Sequence, residues 1–205
     1  MRAGRRRGLV AATLVTGSAL LGASLSTEPG TARFYGMTAG VAGVWAAGGL
    51  ASGSVRANSL RGPVLGPALL GVGAFAAFYG CALLARRVPV LDRAITGVLS
   101  YAHRGSDRWV LATTLANGLA EELFFRGAVY EAVQDKHPVA LSTALYALAT
   151  AATRNPALVL ASLVMGALFA VQRRVTGGVL APVVTHLVWS TLMLRYLPPL
   201  FRVPR

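Results

Sequence analysis

Two adjacent glutamates, Glu121 and Glu122, lie within a long apolar stretch and are the residues best suited to chemistry. The whole chain has only 7 acidic residues. A carboxylate inside hydrocarbon costs about 3 kcal/mol on insertion scales, so such a residue indicates a functional site. Arg126 follows Glu122 by one helical turn, and this spacing lets the two side chains pair on one helix face. Glu121 points about 100° away around the helix and has no such local partner.

Further polar side chains recur at i,i+4 spacing in the apolar stretches. These pairs are Asn117 and Glu121, Tyr146 and Thr150, and His186 and Ser190. Each pair lies on one helix face, and the three faces can converge on one cavity. A carboxylate near a histidine in a dry cavity is suited to general-base catalysis. We predict a catalytic role for Glu121, Glu122 and His186, with supporting residues Arg126, Asn117, Thr150, Ser190 and Tyr146.

Structural roles are the alternative for several of these side chains. Glu122 and Arg126 can form a structural salt bridge within the membrane, and the histidine alone would suit helix packing. The hydroxyls of Thr150 and Ser190 can bond the carbonyl four residues back. Asn117 can link two helices by a hydrogen bond.

The composition is typical of a helical membrane protein. Of 205 residues, 55% are hydrophobic and 13% are charged, and the mean hydropathy is +0.58. Apolar windows of about 16–22 residues recur, close to the length that crosses a bilayer as helix. We predict an all-α, polytopic transmembrane bundle with spans at 8–26, 35–53, 64–85, 109–133, 138–153, 157–172 and 178–197. Pro138 and Pro156 stand where two of these helices begin.

Segment 88–103 decides between seven and eight spans. It is short and carries Asp92 and Arg93, which suits an interfacial amphipathic helix or a short crossing. Arg5 to Arg7 favour a cytoplasmic N-terminus. From there, seven spans divide the basic residues evenly between the two sides, whereas eight place about twice as many in the cytoplasm. We therefore expect eight.

The net charge of +13 does not indicate nucleic-acid binding, because most basic residues flank apolar segments. That placement is typical of membrane spans facing anionic headgroups, so we predict membrane lipids as partners and no nucleic acid. The single cysteine, Cys81, offers neither an internal disulfide nor metal-ligand spacing. The basic N-terminus followed by an apolar run is similar to a signal peptide. The run is long for one and more spans follow, so we expect an uncleaved first span.

The polar motifs resemble those of one membrane-protein family. Residues 121–126, Glu-Glu-Leu-Phe-Phe-Arg, are similar to the EExxxR motif of the CAAX prenyl endopeptidase and bacteriocin-processing (CPBP, or Abi) intramembrane metalloproteases. The family's FxxxH motif corresponds to Tyr146-Ala147-Leu148-Ala149-Thr150. Its HxxxN or HxxxD motif corresponds to His186-Leu187-Val188-Trp189-Ser190. The resemblance covers about residues 109–195, the family's four-helix core.

This resemblance implies an intramembrane endopeptidase. Glu121 would activate a water that attacks a peptide bond of a membrane-associated protein or peptide, near the membrane surface. His186 and Ser190 would stabilise the oxyanion, and Glu122 and Arg126 would shape the site. The family name also implies zinc, for which Glu121 and His186 are the candidate ligands, although so few ligands are unusual for zinc.

Two positions depart from the family motifs. Thr150 stands in place of a histidine and can act neither as a base near neutral pH nor as a strong zinc ligand. Ser190 replaces an amide or carboxylate by a shorter hydroxyl. The main alternative is therefore a catalytically inactive relative, acting as a membrane scaffold or immunity-type binding protein. A small transporter is a third reading, but no inverted repeat is evident.

We expect three parts along the chain: N-terminal transmembrane helices over 1–108, the CPBP-like core over 109–197, and a short basic tail over 198–205. The Arg- and Ala-rich, nearly Lys-free composition favours a bacterial protein of the cytoplasmic membrane.

Overall fold

The computed structural model describes residues 3–53, 55 and 57–201, and this part of the chain contains helices and no strand. The helices are α1 (Ala3–Ser24), α2 (Ala32–Ala51), α3 (Leu65–Ala85), α4 (Pro89–Arg104), α5 (107–132), α6 (Pro138–Ala151), α7 (Pro156–Thr176) and α8 (Leu180–Tyr196). α5 begins as Asp107–Glu121, continues as a π-helical segment, Glu122–Val129, and ends with Tyr130–Ala132. The all-α prediction is confirmed.

Local sequence chemistry sets where several helices begin and end. The Thr31 hydroxyl accepts the Phe34 N–H at the start of α2, and the Asn155 side chain accepts two N–H groups at the start of α7. Pro138 and Pro156 occupy the first positions of α6 and α7, as predicted, because proline has no N–H to leave unpaired there. Gly177 ends α7 with a φ of +70°, a left-handed conformation that glycine adopts without steric cost.

α4 lies across one end of the bundle, which we name the α4 end. The Tyr101 hydroxyl donates to the carbonyls of Leu25 and Thr27, at 2.7 and 2.9 Å, just after α1 ends. The Asn155 amide, at the start of α7, donates to the Ala94 carbonyl at 2.8 Å. Both halves of α4 thus contact the same end of the bundle, where α3 ends and α5 begins.

The core lies between α2 and the π-helical segment of α5. Trp45 is fully buried, and its ring lies 4.8 and 5.1 Å from the rings of Phe124 and Phe125. A Cβ on Gly49 would lie 2.9 Å from the Leu123 carbonyl, so only glycine allows this close approach of the two helices. The N-terminal helices are therefore packed directly against the helix that carries the glutamates.

α3 and α8 form a parallel pair at the side of the bundle. Near their starts the Thr185 hydroxyl donates to the Pro67 carbonyl at 2.8 Å. Further along both helices, the ring of Phe75, in the middle of α3, lies 5.7 Å from that of Tyr196, at the end of α8. The outer face of α3 exposes large apolar side chains such as Leu65, at 72%. Extended apolar faces of this kind indicate contact with a partner or with lipid.

Four segments of the described chain are long and apolar enough to cross a membrane, judged by length and composition. They are Gly4–Ser24, Leu65–Ala85, Pro156–Thr176 and Leu180–Leu200. A multi-helix membrane protein is thus confirmed, while the number of crossings stays a prediction. The predicted spans match helices to within a few residues at each end, and 88–103 forms α4. Of the basic residues predicted to flank spans or form the tail, Arg2, Arg56, Arg202 and Arg205 lie outside the described residues.

Candidate active site

The glutamates lie where α5 changes from α-helical to π-helical geometry. Within Glu122–Val129 the hydrogen-bond ladder reaches back five residues, ending with the bond from the Tyr130 N–H to the Phe125 carbonyl. Every residue of this segment is buried, because α2, α6, α7 and α8 all contact it. π-Helical insertions occur frequently at functional sites. The spacing of the polar residues predicts a regular α-helix, and α5 departs from it at this segment.

Glu122 is fully buried and holds two basic side chains. Arg126 donates from Nη1 to Glu122 Oε1 at 3.3 Å, and its Nε lies 3.3 Å from Oε2. His186 Nδ1, from α8, lies 2.8 Å from the same Oε1. Because an ionised carboxylate only accepts, we assign the hydrogen of this contact to Nδ1. The predicted pairing of Glu122 with Arg126 is confirmed, and His186 completes a triad.

The Arg126 guanidinium is enclosed on its remaining sides. Its Nη2 donates to the Gly166 carbonyl at 3.1 Å. The rings of Tyr146 and Phe169 lie 4.6 and 5.1 Å from its Cζ, within cation–π range. The Phe169 ring also stacks on the His186 ring at 4.8 Å. One aromatic side chain therefore positions both basic partners of the buried carboxylate.

Glu121 has a different environment from its neighbour. The Tyr146 hydroxyl, from α6, donates to Glu121 Oε2 at 2.7 Å. The partner that the local sequence lacks is thus supplied by another helix. Glu121 borders a cavity, whereas Glu122 is held in the protein interior, so the two adjacent carboxylates are placed for different tasks.

A cavity of about 300 Å³ extends from Glu121 towards α4. Six of the predicted site residues line it: Asn117, Glu121, Tyr146, Thr150, His186 and Ser190. Glu122 and Arg126 lie behind its wall. Residues of α1, α2 and α4 complete the lining, among them Leu21, Thr38 and Tyr101. The three polar faces inferred from helical spacing thus meet at one cavity.

Two supporting residues make the structural contacts that their side chains commonly make. The Thr150 hydroxyl donates to the Tyr146 carbonyl at 2.9 Å, four residues back. Asn117 donates from Nδ2 to the carbonyls of Thr38 and Thr113, at 3.1 and 2.9 Å. The first of these links α5 to α2. Both residues also line the cavity.

Sequence reasoning did not single out two other residues at the cavity. Gly118 leaves space beside the His186 ring, since a Cβ there would lie 3.5 Å from Nε2. Trp189 also lines the cavity, and its buried Nε1 has no hydrogen-bond partner within the described residues. A glycine or a tryptophan in an apolar helix is ordinarily a packing residue, so neither gave a distinct signal.

The donor set does not fit a zinc ion. Structural and catalytic zinc sites use three or four protein ligands. Among the described residues, no three His, Cys, Asp or Glu side chains come together as a potential metal site. Both oxygens of Glu122 face Arg126, and one also contacts Nδ1 of His186. Only Glu121 and Nε2 of His186 remain as donors towards the cavity.

The comparisons with known proteins bear on the same segment. Residues 107–192 match the family model described as Rce1-like, type II CAAX prenyl endopeptidase Rce1-like. No curated protein and no solved structure is significantly similar to the chain. The matched residues run from the first residue of α5 into α8 and include both glutamates, the arginine and the histidine. The resemblance to the CPBP family that the motifs indicated is thereby confirmed for this segment of the chain.

Proposed function

We propose that the protein is an intramembrane endopeptidase that hydrolyses a peptide bond of a membrane-associated protein or peptide. The observation that carries this proposal is the cavity shared by Glu121 and His186 within the family-matched segment. A dry cavity that brings a carboxylate and an imidazole together can bind and activate a water molecule. The catalytic unit is 109–197, and the helices of 1–108 support it.

Glu121 is the general base of this mechanism. Its carboxylate borders the cavity and, within the described part of the chain, receives one hydrogen bond, from Tyr146 to Oε2, so Oε1 is the oxygen that we assign to the water. The carboxylate takes a proton from this water as the water oxygen attacks the scissile carbonyl. It then returns the proton to the leaving nitrogen when the tetrahedral intermediate collapses. Tyr146 holds the carboxylate in place during both transfers.

His186 is the oxyanion donor. Its Nδ1 is held by Glu122 at 2.8 Å, so the opposite ring nitrogen, Nε2, can donate to the oxyanion when the ring carries both protons. The Glu122 carboxylate holds the imidazole ring in its orientation. Arg126 fixes that carboxylate. Hydrogen-bond donors preorganised in a low-dielectric site commonly contribute factors of about 100 to 1,000 to the rate.

The substrate approaches from the α4 end, towards which the cavity extends. α3 ends and α5 begins at this end, so we propose that α4 lies at the membrane surface and that the chain crosses seven times. This replaces the eight crossings expected from charge alone. With the N-terminus in the cytoplasm of a bacterium, the α4 end faces outwards and the scissile bond lies near that surface.

A catalytically inactive family member is the second candidate, and Thr150 favours it. The residue replaces the histidine of the family's second motif, and its hydroxyl donates to the Tyr146 carbonyl. A threonine so engaged cannot assist Glu121 as a base. Such a protein would use the same cavity to hold a membrane peptide without cleaving it.

Cleavage by purified protein tests the enzyme proposal. Wild type in lipid nanodiscs is incubated with a panel of membrane-anchored peptides, beside Glu121→Gln, His186→Ala and the control Glu131→Gln. Glu131 is on the same helix but pairs with Arg173, at 3.8 Å. We expect the wild type and the control to cleave at similar rates. The cleavage rate of Glu121→Gln should fall at least 100-fold, about the contribution of a general base, and that of His186→Ala should fall by a similar factor. Equal cleavage by all four proteins would refute the roles assigned.

A Thr150→His variant separates the two candidates. If wild type cleaves nothing and Thr150→His cleaves in a Glu121-dependent manner, the natural chain is the inactive form. If wild type cleaves and Thr150→His changes the rate only slightly, Glu121 works without a second base.

A further inference from the structure

A groove on the outer face of α6 and α7 lies at the end of the bundle opposite α4. Its volume is about 550 Å³. Its floor is mainly apolar and includes Pro138, Ala144, Leu163 and Ala167. Leu163 is 44% exposed, so the groove opens on the side of the helices that faces lipid in a membrane.

Basic side chains form the rim of this groove. Lys136 and Arg174 are exposed and line it together with His137. Neither Lys136 nor Arg174 forms a salt bridge with an acidic side chain within the described residues, whereas the neighbouring Arg173 does, with Glu131. Two positive charges are thus available at the point where the groove meets the membrane surface.

A polar side chain lies deeper in the same groove. Thr143 lines it, is only 9% exposed, and has a hydroxyl oxygen without a hydrogen-bond partner in the described part of the chain. Thr143 lies about 7–8 Å further along α6 than Pro138, because an α-helix rises by about 1.5 Å per residue. The groove thus changes from cationic to weakly polar to apolar with increasing depth.

We propose that this groove binds an anionic phospholipid. The lipid phosphate lies between Lys136 and Arg174, an ester group contacts Thr143, and the acyl chains cover Leu163. Basic pockets between transmembrane helices bind anionic headgroups in this way, and each nearby Lys or Arg strengthens the attraction. A free phosphate ion would leave the apolar floor uncovered. The site is on the outside of α6 and α7 and does not depend on the proposed catalysis.

The orientation proposed above is consistent with this ligand. The groove lies at the same end as the N-terminus, which is the cytoplasmic end when the N-terminus is inside. The cytoplasmic leaflet carries the negative surface potential of anionic lipids. A lipid bound here would fill the space between α6 and α7 and hold together two helices that both contribute to the cavity.

Native mass spectrometry of the full chain tests the proposal. The protein is released from detergent micelles containing phosphatidylglycerol, phosphatidylcholine or no lipid. Wild type is compared with Lys136→Gln/Arg174→Gln and with Arg86→Gln/Arg87→Gln, which removes two exposed arginines at the α4 end. At about 1 kcal/mol per basic residue, the groove variant should bind phosphatidylglycerol about 30-fold more weakly. The control should bind it like wild type.

Three outcomes would overturn the lipid site. They are equal retention of phosphatidylglycerol by wild type and the groove variant, equal retention of phosphatidylcholine and phosphatidylglycerol by wild type, and displacement of the lipid by millimolar inorganic phosphate. Thr143→Val gives a second readout at almost unchanged side-chain size. It should weaken phosphatidylglycerol binding several-fold at unchanged thermal stability, and unchanged binding would refute the part assigned to its hydroxyl.

Discussion

Replacing Arg126 by methionine should destabilise the fold strongly, because it isolates a buried carboxylate. The guanidinium and the Glu122 side chain are both 0% exposed. The variant loses the contacts at 3.3 Å to Glu122 and the bond at 3.1 Å to Gly166, and only His186 remains beside the charge. Removing one partner of a buried ion pair costs about 3–5 kcal/mol. At about 2–4 °C per kcal/mol for a chain of this length, Tm should fall by roughly 6–20 °C.

Removing both charges should cost less than removing one. In Glu122→Gln/Arg126→Met the amide can still accept from His186, and no unpaired charge remains, so the main residual loss is the donor to Gly166. The Gly166 carbonyl lies inside α7 and keeps its helical partner, so this loss is that of one hydrogen bond to a charged group, about 1.5–3 kcal/mol. We therefore expect the double variant to unfold at a higher temperature than Arg126→Met alone.

Thermal unfolding in detergent, followed by circular dichroism, measures both effects. Arg87→Met is the matched control, since Arg87 is exposed and surface substitutions usually change stability by less than about 0.5 kcal/mol. If Arg126→Met unfolds at the same temperature as this control, the guanidinium does not neutralise Glu122. If the double variant loses as much stability as Arg126→Met and Glu122→Gln lose together, the two side chains are not energetically coupled.

Three further substitutions, one of them with a matched control, probe the supports of the site. Tyr146→Phe removes the hydroxyl that holds Glu121 at 2.7 Å, so peptide cleavage should fall about tenfold, the value of one hydrogen bond to a charged group, at nearly unchanged Tm. Gly71→Leu should lower Tm, because a Cβ at this position would lie 2.9 Å from α8. A Cβ on Gly73 would meet nothing within 4 Å, so Gly73→Leu should leave Tm nearly unchanged. Tyr101→Phe removes the bonds at 2.7 and 2.9 Å to the carbonyls after α1. Hydrogen exchange in α4 should then accelerate, and unchanged exchange would show that the hydroxyl does not hold α4 in place.

The sequence predicts those features that depend on local spacing. The pair of Glu122 and Arg126, one turn apart, forms as predicted. The prolines at the starts of α6 and α7 occupy the expected positions because proline is tolerated at a first helical position. The convergence of three polar faces follows from burial: polar groups on separate membrane helices avoid lipid by facing one another.

Contacts between helices could not be predicted in the same way. Helical periodicity shows which residues share a face, but not how two helices rotate against each other. The contacts of His186 with Glu122 and of Tyr146 with Glu121 depend on such rotations. The rotations also decide which of the two carboxylates each side chain contacts. The π-helical segment also leaves no mark in the apolar pattern, since its residues are buried on all sides.

The position of α4 bears on the number of crossings, for which the charge pattern and the helix contacts favour different answers. An eighth crossing gave the better distribution of basic residues, yet contacts of α4 with the segments after α1 and before α7 keep it at one end. A short amphipathic sequence is compatible with both placements. Its buried side chains, Ala94 and Leu99, face the end of the bundle, which is why we propose seven crossings rather than eight.

The four ionisable groups of the site suggest why two adjacent glutamates are needed. In the mechanism proposed above, Glu121 and Glu122 carry two negative charges, and Arg126 and the His186 ring that acts as oxyanion donor carry two positive ones, so the cluster is neutral. When Glu121 takes a proton from water, its negative charge passes to the oxyanion, beside the imidazolium. When the intermediate collapses and the proton leaves Glu121, the charge returns. These four groups therefore stay neutral overall through the proposed reaction, whereas a net charge within the membrane would be costly. With Glu121 alone, one of the two positive charges would be uncompensated, and with Glu122 alone the proposed mechanism would have no base at the cavity.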